Sequence, residues 1–280
     1  MNKNKFYAVV VLYNTTVEDS LTCKKLREIK KHDISVFIVD NSTKDMNNIE
    51  MAKKYGWTYM DMHGNVGLSK AYNKVLEKLK NEIGIIIWFD DDTNINQEYF
   101  DVLDKEANSN PDVSVFAPMI QGQDGRFWSP NEARFFKNKQ LKNCEDEISN
   151  ESFNAINSCT AVRLNIYENY RYDERLFLDQ VDHSFFYDMR NRNIKFYKLN
   201  IIIHHNFSLK SKQKSIEDIK KRYEIMIPDY LTFCSKSVVR IMLGMIKVIG
   251  WGIRESFNYK DISFILWCIR KAFISLKNNY

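Results

Sequence analysis

Three aspartates in a row, Asp90, Asp91 and Asp92, follow the apolar run Ile83–Phe89. Carboxylates this close repel one another by about 1 kcal/mol per close pair even in water, unless a cation compensates. Hard oxygen ligands suit Mg2+ or Mn2+, and either ion can bridge to diphosphate oxygens. The same run also serves as a solvated acidic turn capping the next helix, since Asp and Thr are good N-caps. Further on, Asp179 and Asp182 follow Phe177 and Leu178 at a spacing of three. At a helix start that spacing puts both on one face, where one could take a proton from a hydroxyl as general base; the helix dipole alone also favours acids there. His204 and His205 follow Ile201–Ile203. A His pair at a strand end can hold a metal or a phosphate, although a partly buried His satisfied by backbone is commoner. Gly64 and Gly67 flank Asn65 and Val66. Glycines there permit close backbone approach ahead of a helix whose first amides face an anion, and equally make a plain turn.

These residues need a scaffold to bring them together. The apolar runs Phe6–Leu12, Ser35–Val39, Trp57–Met62 and Ile83–Phe89 alternate with helical patterns at Val17–Lys31, Met46–Tyr55 and Asn73–Leu79. Continuous β-branched runs fit strands buried on both faces of a parallel sheet, and their alternation with helices implies right-handed βαβ units. The fold class expected is therefore α/β. In such sheets ligands bind beyond the carboxyl ends of the strands. Tyr13 and Asn14, Asp40 to Ser42, Gly64 to Gly67, and Asp90 to Thr93 each follow a strand directly. Four polar clusters thus converge on one rim. After about residue 115 the alternation weakens, as a half built from mixed-direction elements requires.

A chain of 280 residues that is 44% hydrophobic can bury a real core, which excludes a disordered protein. The apolar run near the N-terminus stops at Asn14 without a small-residue cleavage site, so no secretory signal is expected and a cytoplasmic protein is. Five scattered cysteines with no CxxC pair argue against both a disulfide framework and a zinc cluster. From Asn206 onward there are 14 Lys and Arg against 6 Asp and Glu, leaving 27 against 30 upstream. The basic character belongs to the tail. There, the apolar stretch Val238–Ile253 is interrupted by Arg240 and Lys247, and its 16 residues fall short of a membrane span. Ile262, Leu266, Ile269 and Phe273 then recur at helical spacing among Lys260, Arg270 and Lys271. Such a basic amphipathic tail suits an anionic membrane surface; packing on the catalytic domain or on a second subunit in a homodimer is the alternative. No recognised nucleic-acid motif accompanies it, so no nucleic-acid partner is expected.

Taken in order, VVVLYNTT, IVDNST, GNVGLSKAYNKV, WFDDDT, INSCTAVR, FLDQVDHSFFYDMRNRN and IIIHHNFS resemble the family 2 glycosyltransferases with the GT-A fold. Within them the pattern is similar to the rhamnosyltransferase-like branch of bacterial polysaccharide enzymes. The resemblance runs from about Phe6 to Ser208, three-quarters of the chain. It implies a catalytic domain over 1–208, with a nucleotide-sugar-binding half at 1–115 and an acceptor half at 116–208, followed by a helical tail over 209–280. Tyr13, Asn14, Asp40, Asn65 and Gly67 would then line the donor pocket, with Asp40 on the base or ribose. Asp90 and Asp92 match the DxD motif, Asp92 in direct contact with Mn2+ or Mg2+ and Asp90 on the ribose or as second ligand, with Asp91 beside them on the donor side. Asp182 matches the general base of inverting members. His205 matches the His that completes the metal–diphosphate site, and His204 is its register alternative.

The implied reaction is a single in-line displacement that inverts the anomeric centre. The donor would be dTDP-rhamnose or a UDP-hexose, and the acceptor a growing, lipid-linked surface polysaccharide at the inner face of the membrane. Departures from the family pattern are Ser158-Cys159 where relatives carry Ser-Gly, Asp188 where an Arg is common, with Arg190 two residues on, and Asn193 in place of a glycine. Asn also tolerates a left-handed helix C-cap. A nucleotide-sugar-binding module without turnover would need no base, so Asp182 disfavours it. A nucleotidyltransferase would need a glycine-rich phosphate loop after the first strand, which Tyr13 to Thr16 does not offer.

Overall fold

The computed structural model describes residues 4–205 and 215–279, so the last three residues of the IIIHHNFS segment lie outside it. Strands β1 (Lys5–Leu12), β2 (Asp33–Asp40), β3 (Thr58–Asp61) and β4 (Ile85–Phe89) alternate with helices α1 (Leu21–Glu28), α2 (Asn48–Lys54) and α3 (Leu68–Lys78). Then come α4 (Gln97–Ser109), β5 (Val115–Gly122) and the short strands β6 (Phe127–Ser129), β7 (Asn131–Glu132), β8 (Lys139–Gln140) and β9 (Phe153–Asn154). They are followed by β10 (Thr160–Arg163), α5 (Val181–Asn191), β11 (Phe196–His205), α6 (Ile216–Cys234), α7 (Val238–Tyr259) and α8 (Ser263–Asn279). The alternation expected from the sequence is present, and it gives way to short mixed-direction strands after β5.

The strand order is β11-β5-β10-β4-β1-β2-β3, with β6 added against β5; β7, β8 and β9 form a small sheet of their own. Only β10 runs antiparallel within the main order. Register places Leu12 beside Asp40, Asp40 beside Asp61, and Val10 beside Phe89. The carboxyl ends of β1 to β4 therefore share one edge. Every residue of β4 is buried, as its unbroken apolar run requires. Each Ile or Phe so placed stabilises the fold by about 1.5–3 kcal/mol relative to exposure. Trp88 packs against the tilted ring of Tyr72 at 4.2 Å and donates its Nε1–H to the Tyr167 hydroxyl at 3.0 Å, so its one polar side-chain atom is satisfied.

All three expected helices start elsewhere than their periodicity suggests, α2 by two residues and the others by more. Helix α1 begins at Leu21 instead of Val17, because Thr16 to Asp19 make a turn and the Ser20 hydroxyl caps the amide of Cys23. Helix α3 begins at Leu68, five residues before the predicted Asn73, directly after Gly67 at φ +87°.

The chain divides into two compact units. The first contains the sheets, and the second gathers 67–69, 173–184 and the residues beyond 208. Within the second, Ser215 and Asp218 form a reciprocal capping box that starts α6. Tyr223 of α6 packs edge-on against Phe264 of α8 at 5.4 Å and Trp251 of α7 at 6.0 Å. Its hydroxyl meets the buried Glu255 carboxylate at 3.1 Å. No described helix is long and apolar enough to cross a membrane.

Candidate functional site

Asp90 is the first residue past β4, and the acidic run after it is pinned by its backbone. The Asp90 carbonyl accepts from the Thr22 hydroxyl, and the Asp91 carbonyl from the Ser20 hydroxyl at 2.7 Å and the Thr22 amide at 3.1 Å. The Thr93 amide in turn donates to Thr22 Oγ1 at 2.9 Å. The start of α1 thus holds the loop, while the side chains of Asp90 and Asp92 stay about half exposed, at 49% and 43%.

Across from them, at the end of β11, His205 forms an isolated bridge with Thr93 and is 5% exposed. Its Nε2 lies 3.2 Å from Asp92 Oδ1 and 3.7 Å from Asp90 Oδ2. One ligand atom from each of Asp90, Asp92 and His205 lies within 4.8 Å of the others. Strand alternation turns His204 to the exposed side, so the pleat decides between the two histidines. Burial works against the His205 imidazolium, but the Asp90 and Asp92 carboxylates outweigh it and raise the pKa to about 9. Burial is also the main cause that raises Asp91, with the Thr15 hydroxyl opposing and the charges of Asp92 and Asp90 adding. Two hard carboxylate oxygens and an imidazole nitrogen are a donor set that Mn2+ or Mg2+ accepts, and the half-exposed carboxylates leave room for further oxygen ligands.

Hydrogen bonds hold Asn14, Asp40, Asn41 and Asn65 in place at the same rim. Tyr13 is 52% exposed. Asn14, at φ +52°, donates its amide to Ser42 Oγ at 2.8 Å, and its side-chain oxygen accepts from the Thr43 amide at 3.0 Å. Asp40 is buried, with Oδ1 on the Ser42 amide at 3.1 Å and Oδ2 receiving Asn48 Nδ2 at 2.8 Å and the Tyr59 hydroxyl at 3.2 Å. Asn41 bridges the loops after β2 and β3: its Nδ2 donates to Asn65 Oδ1 at 2.9 Å and its Oδ1 accepts from the Val66 amide at 2.9 Å. Sequence reasoning singled out neither Asn48 nor Thr22 and gave Asn41 no role; a polar residue directly after a strand was the available signal for Asn41.

Gly67, Asp179 and Asp182 belong to the second unit. A Cβ on Gly67 would lie 2.6 Å from the Phe177 carbonyl oxygen, so the close approach this glycine permits is to Phe177. The expectation that Asp179 and Asp182 share one helix face is corrected. Helix α5 starts at Val181, after Gln180 at φ +63°, which leaves Asp179 outside it. Asp179 is instead gripped by both terminal nitrogens of Arg222. Asp182 stands in the first turn of α5, half-buried, with Oδ1 on the His183 amide at 2.7 Å.

The departures from the family pattern have physical readings. Cys159 sits fully buried at φ +61°, where glycine is the natural occupant. Asn193 takes the left-handed position after α5 at φ +54°. Arg190 donates to the Phe153 carbonyl at 2.6 Å.

Residues 7–171 match the family model described as glycosyl transferase family 2. No curated protein matches the sequence. Among solved structures, S. aureus TarS 1-349 is similar at 14% identity and a TM-score of 0.53, over 95% of this chain and 90% of that one. The mannosyltransferase PcManGT from Pyrobaculum calidifontis, in complex with GDP-Man and Mn2+, is similar at 10% identity and a TM-score of 0.55, over 97% of this chain and 88% of that one. Glucosyl-3-phosphoglycerate synthase from Mycobacterium tuberculosis, with Mn2+, UDP and phosphoglyceric acid, is similar at 10% identity and 0.53, over 82% and 78%.

Proposed function

The chain belongs to glycosyl transferase family 2, and from that premise we propose that it is an inverting, metal-dependent enzyme that moves one sugar from a nucleoside-diphosphate sugar to a glycan hydroxyl. The observation that carries the reading is the meeting of Asp90, Asp92 and His205, brought from the ends of β4 and β11 to one point. Asp90, Asp92 and His205 would hold a divalent ion, which would supply the positive charge that a leaving nucleoside diphosphate needs. Tyr13, Asn14, Asp40, Asn65, Gly67 and Asp91 are assigned to the donor, with Asn41 as the link that fixes Asn65. Asp182 takes the proton from the acceptor hydroxyl as its oxygen bonds to the anomeric carbon and the bond to the diphosphate oxygen breaks. The proton ends on the carboxylate and the configuration inverts.

For the donor, dTDP-rhamnose is supported by the branch resemblance; UDP and GDP sugars are supported by the neighbours crystallised with UDP, UDP-GlcNAc or GDP-Man. The acceptor proposed is a growing surface polysaccharide on a lipid carrier. In support, Val238, Met242, Ile246, Phe257, Leu266 and Phe273 of α7 and α8 are between 59% and 81% exposed. The same two helices carry six Lys and Arg against one acid, the buried Glu255. Exposed apolar side chains on helices with a basic excess suit an anionic lipid surface. The test is thermal stabilisation by a panel of nucleoside diphosphates and nucleotide sugars, with and without Mn2+. A Mn2+-dependent rise with one nucleotide is expected, and none across the panel contradicts the proposal.

A further inference from the structure

The segment Phe177–Gln180, which leads into α5, belongs to no helix or strand, and its amides need partners from elsewhere. They find one carboxylate. Asp229 of α6, 2% exposed, accepts from the amides of Phe177 at 2.9 Å, Leu178 at 2.8 Å and Asp179 at 2.7 Å. Seven residues earlier, two turns back on the same helix face, Arg222 grips the Asp179 carboxylate through both terminal nitrogens. On the other side, the Phe177 carbonyl accepts from the Leu68 amide at 2.6 Å, at the point where Gly67 approaches it. The turn at Gln180 then delivers the chain to Val181 and Asp182.

A buried carboxylate is an expensive way to pack a helix. Burial raises the Asp229 pKa, and the three backbone N–H groups oppose that rise. An apolar residue would fill the same space without the desolvation penalty, but it would leave three amides unpaired. The arrangement is therefore specific for the shape of this segment.

We propose that Asp229 and Arg222 are positioning residues, holding Phe177–Gln180 rigid so that Asp182 stands where it can deprotonate an attacking hydroxyl. This rests on the reading of Asp182 as the base. Neither residue touches substrate. Asp229 fixes the path of the backbone and Arg222 fixes Asp179, so Asp182 enters α5 at one angle. Removing either lets the segment relax, which costs turnover and not donor affinity.

The experiment uses the full-length chain with Mn2+ and UDP-glucose, UDP-GlcNAc, GDP-mannose or dTDP-rhamnose, following nucleoside diphosphate release with water as the attacking group. Asp229→Asn, Arg222→Gln and Asp182→Asn are compared singly, and each α6 substitution is also combined with Asp182→Asn. Arg222→Gln alters a partly exposed side chain, so it carries the test if Asp229→Asn does not fold. The α6 substitutions alone are expected to lower kcat about tenfold with donor KM within about twofold. On top of Asp182→Asn they add less than about twofold, because the group they position is already inert. Losses that multiply in full, or that fall on KM, overturn the inference and leave Asp182 as base. Unchanged turnover in Asp182→Asn, or no release from any of the four donors by the unsubstituted chain, removes the reading beneath it and the inference as well.

Discussion

Replacing Gly67 with alanine tests the geometry that joins the glycine turn to the segment before α5. Its φ of +87° lies where a Cβ costs about 1–2 kcal/mol. The added carbon would also stand 2.6 Å from the Phe177 carbonyl oxygen and 2.8 Å from its ring Cδ2. That oxygen cannot easily retreat, since it accepts from the Leu68 amide while the Phe177 amide is held by Asp229. Overpacking against fixed atoms costs about 1–3 kcal/mol more, for about 2–5 kcal/mol in all. Gly56 is the control: φ is +69°, and nothing lies within 4 Å of its Cβ position. Gly56→Ala should therefore cost the backbone part alone. At about 3 °C per kcal/mol, Gly67→Ala lowers Tm by about 6–15 °C and Gly56→Ala by about 3–6 °C. Scanning calorimetry and urea unfolding read both. Equal losses in the two variants would refute the close approach.

Asp182→Asn keeps shape and removes basicity; turnover falls by about 10²–10⁴-fold, the usual contribution of a general base, with donor KM little changed, as steady-state kinetics will report. His205→Ala weakens Mn2+-dependent nucleoside diphosphate binding, measured by calorimetry, while His204→Ala does not, because only His205 faces Asp90 and Asp92; the opposite order contradicts the metal triad. Phe257→Glu and Leu266→Glu, at positions 81% and 69% exposed, leave the fold intact and reduce cosedimentation with anionic phosphatidylglycerol vesicles. Vesicle binding by the unsubstituted chain weakens as salt rises.

The parallel sheet was legible because β1 and β4 are apolar at nearly every position, a pattern that a strand buried on both faces demands and few other elements tolerate. The polar residues at the ends of β1 to β4 were legible for the same reason, since strand ends in a parallel sheet share an edge. His205 rested on the resemblance, and strand alternation then separated it from His204. What the sequence concealed depends on contacts between distant residues. Nothing near Thr22 tells that its hydroxyl fastens the loop of Asp90, and nothing near Asp229 tells that it serves the amides of Phe177 to Asp179. Asp179 looked equivalent to Asp182 by spacing, but Arg222 claims its carboxylate. Cys159 was visible as a departure from glycine, whereas its left-handed backbone was not.

Asp90, Asp92 and His205 are proposed to bind a divalent ion that in turn holds a nucleoside diphosphate. Titration calorimetry of UDP, GDP and dTDP into the full chain, with and without Mn2+, and into a folded Asp92→Ala variant, measures it directly. One nucleotide is expected to bind the unsubstituted chain only with Mn2+ present, and Asp92→Ala to lose this dependence together with most of the affinity. Unchanged, still Mn2+-dependent binding in the folded variant would contradict it.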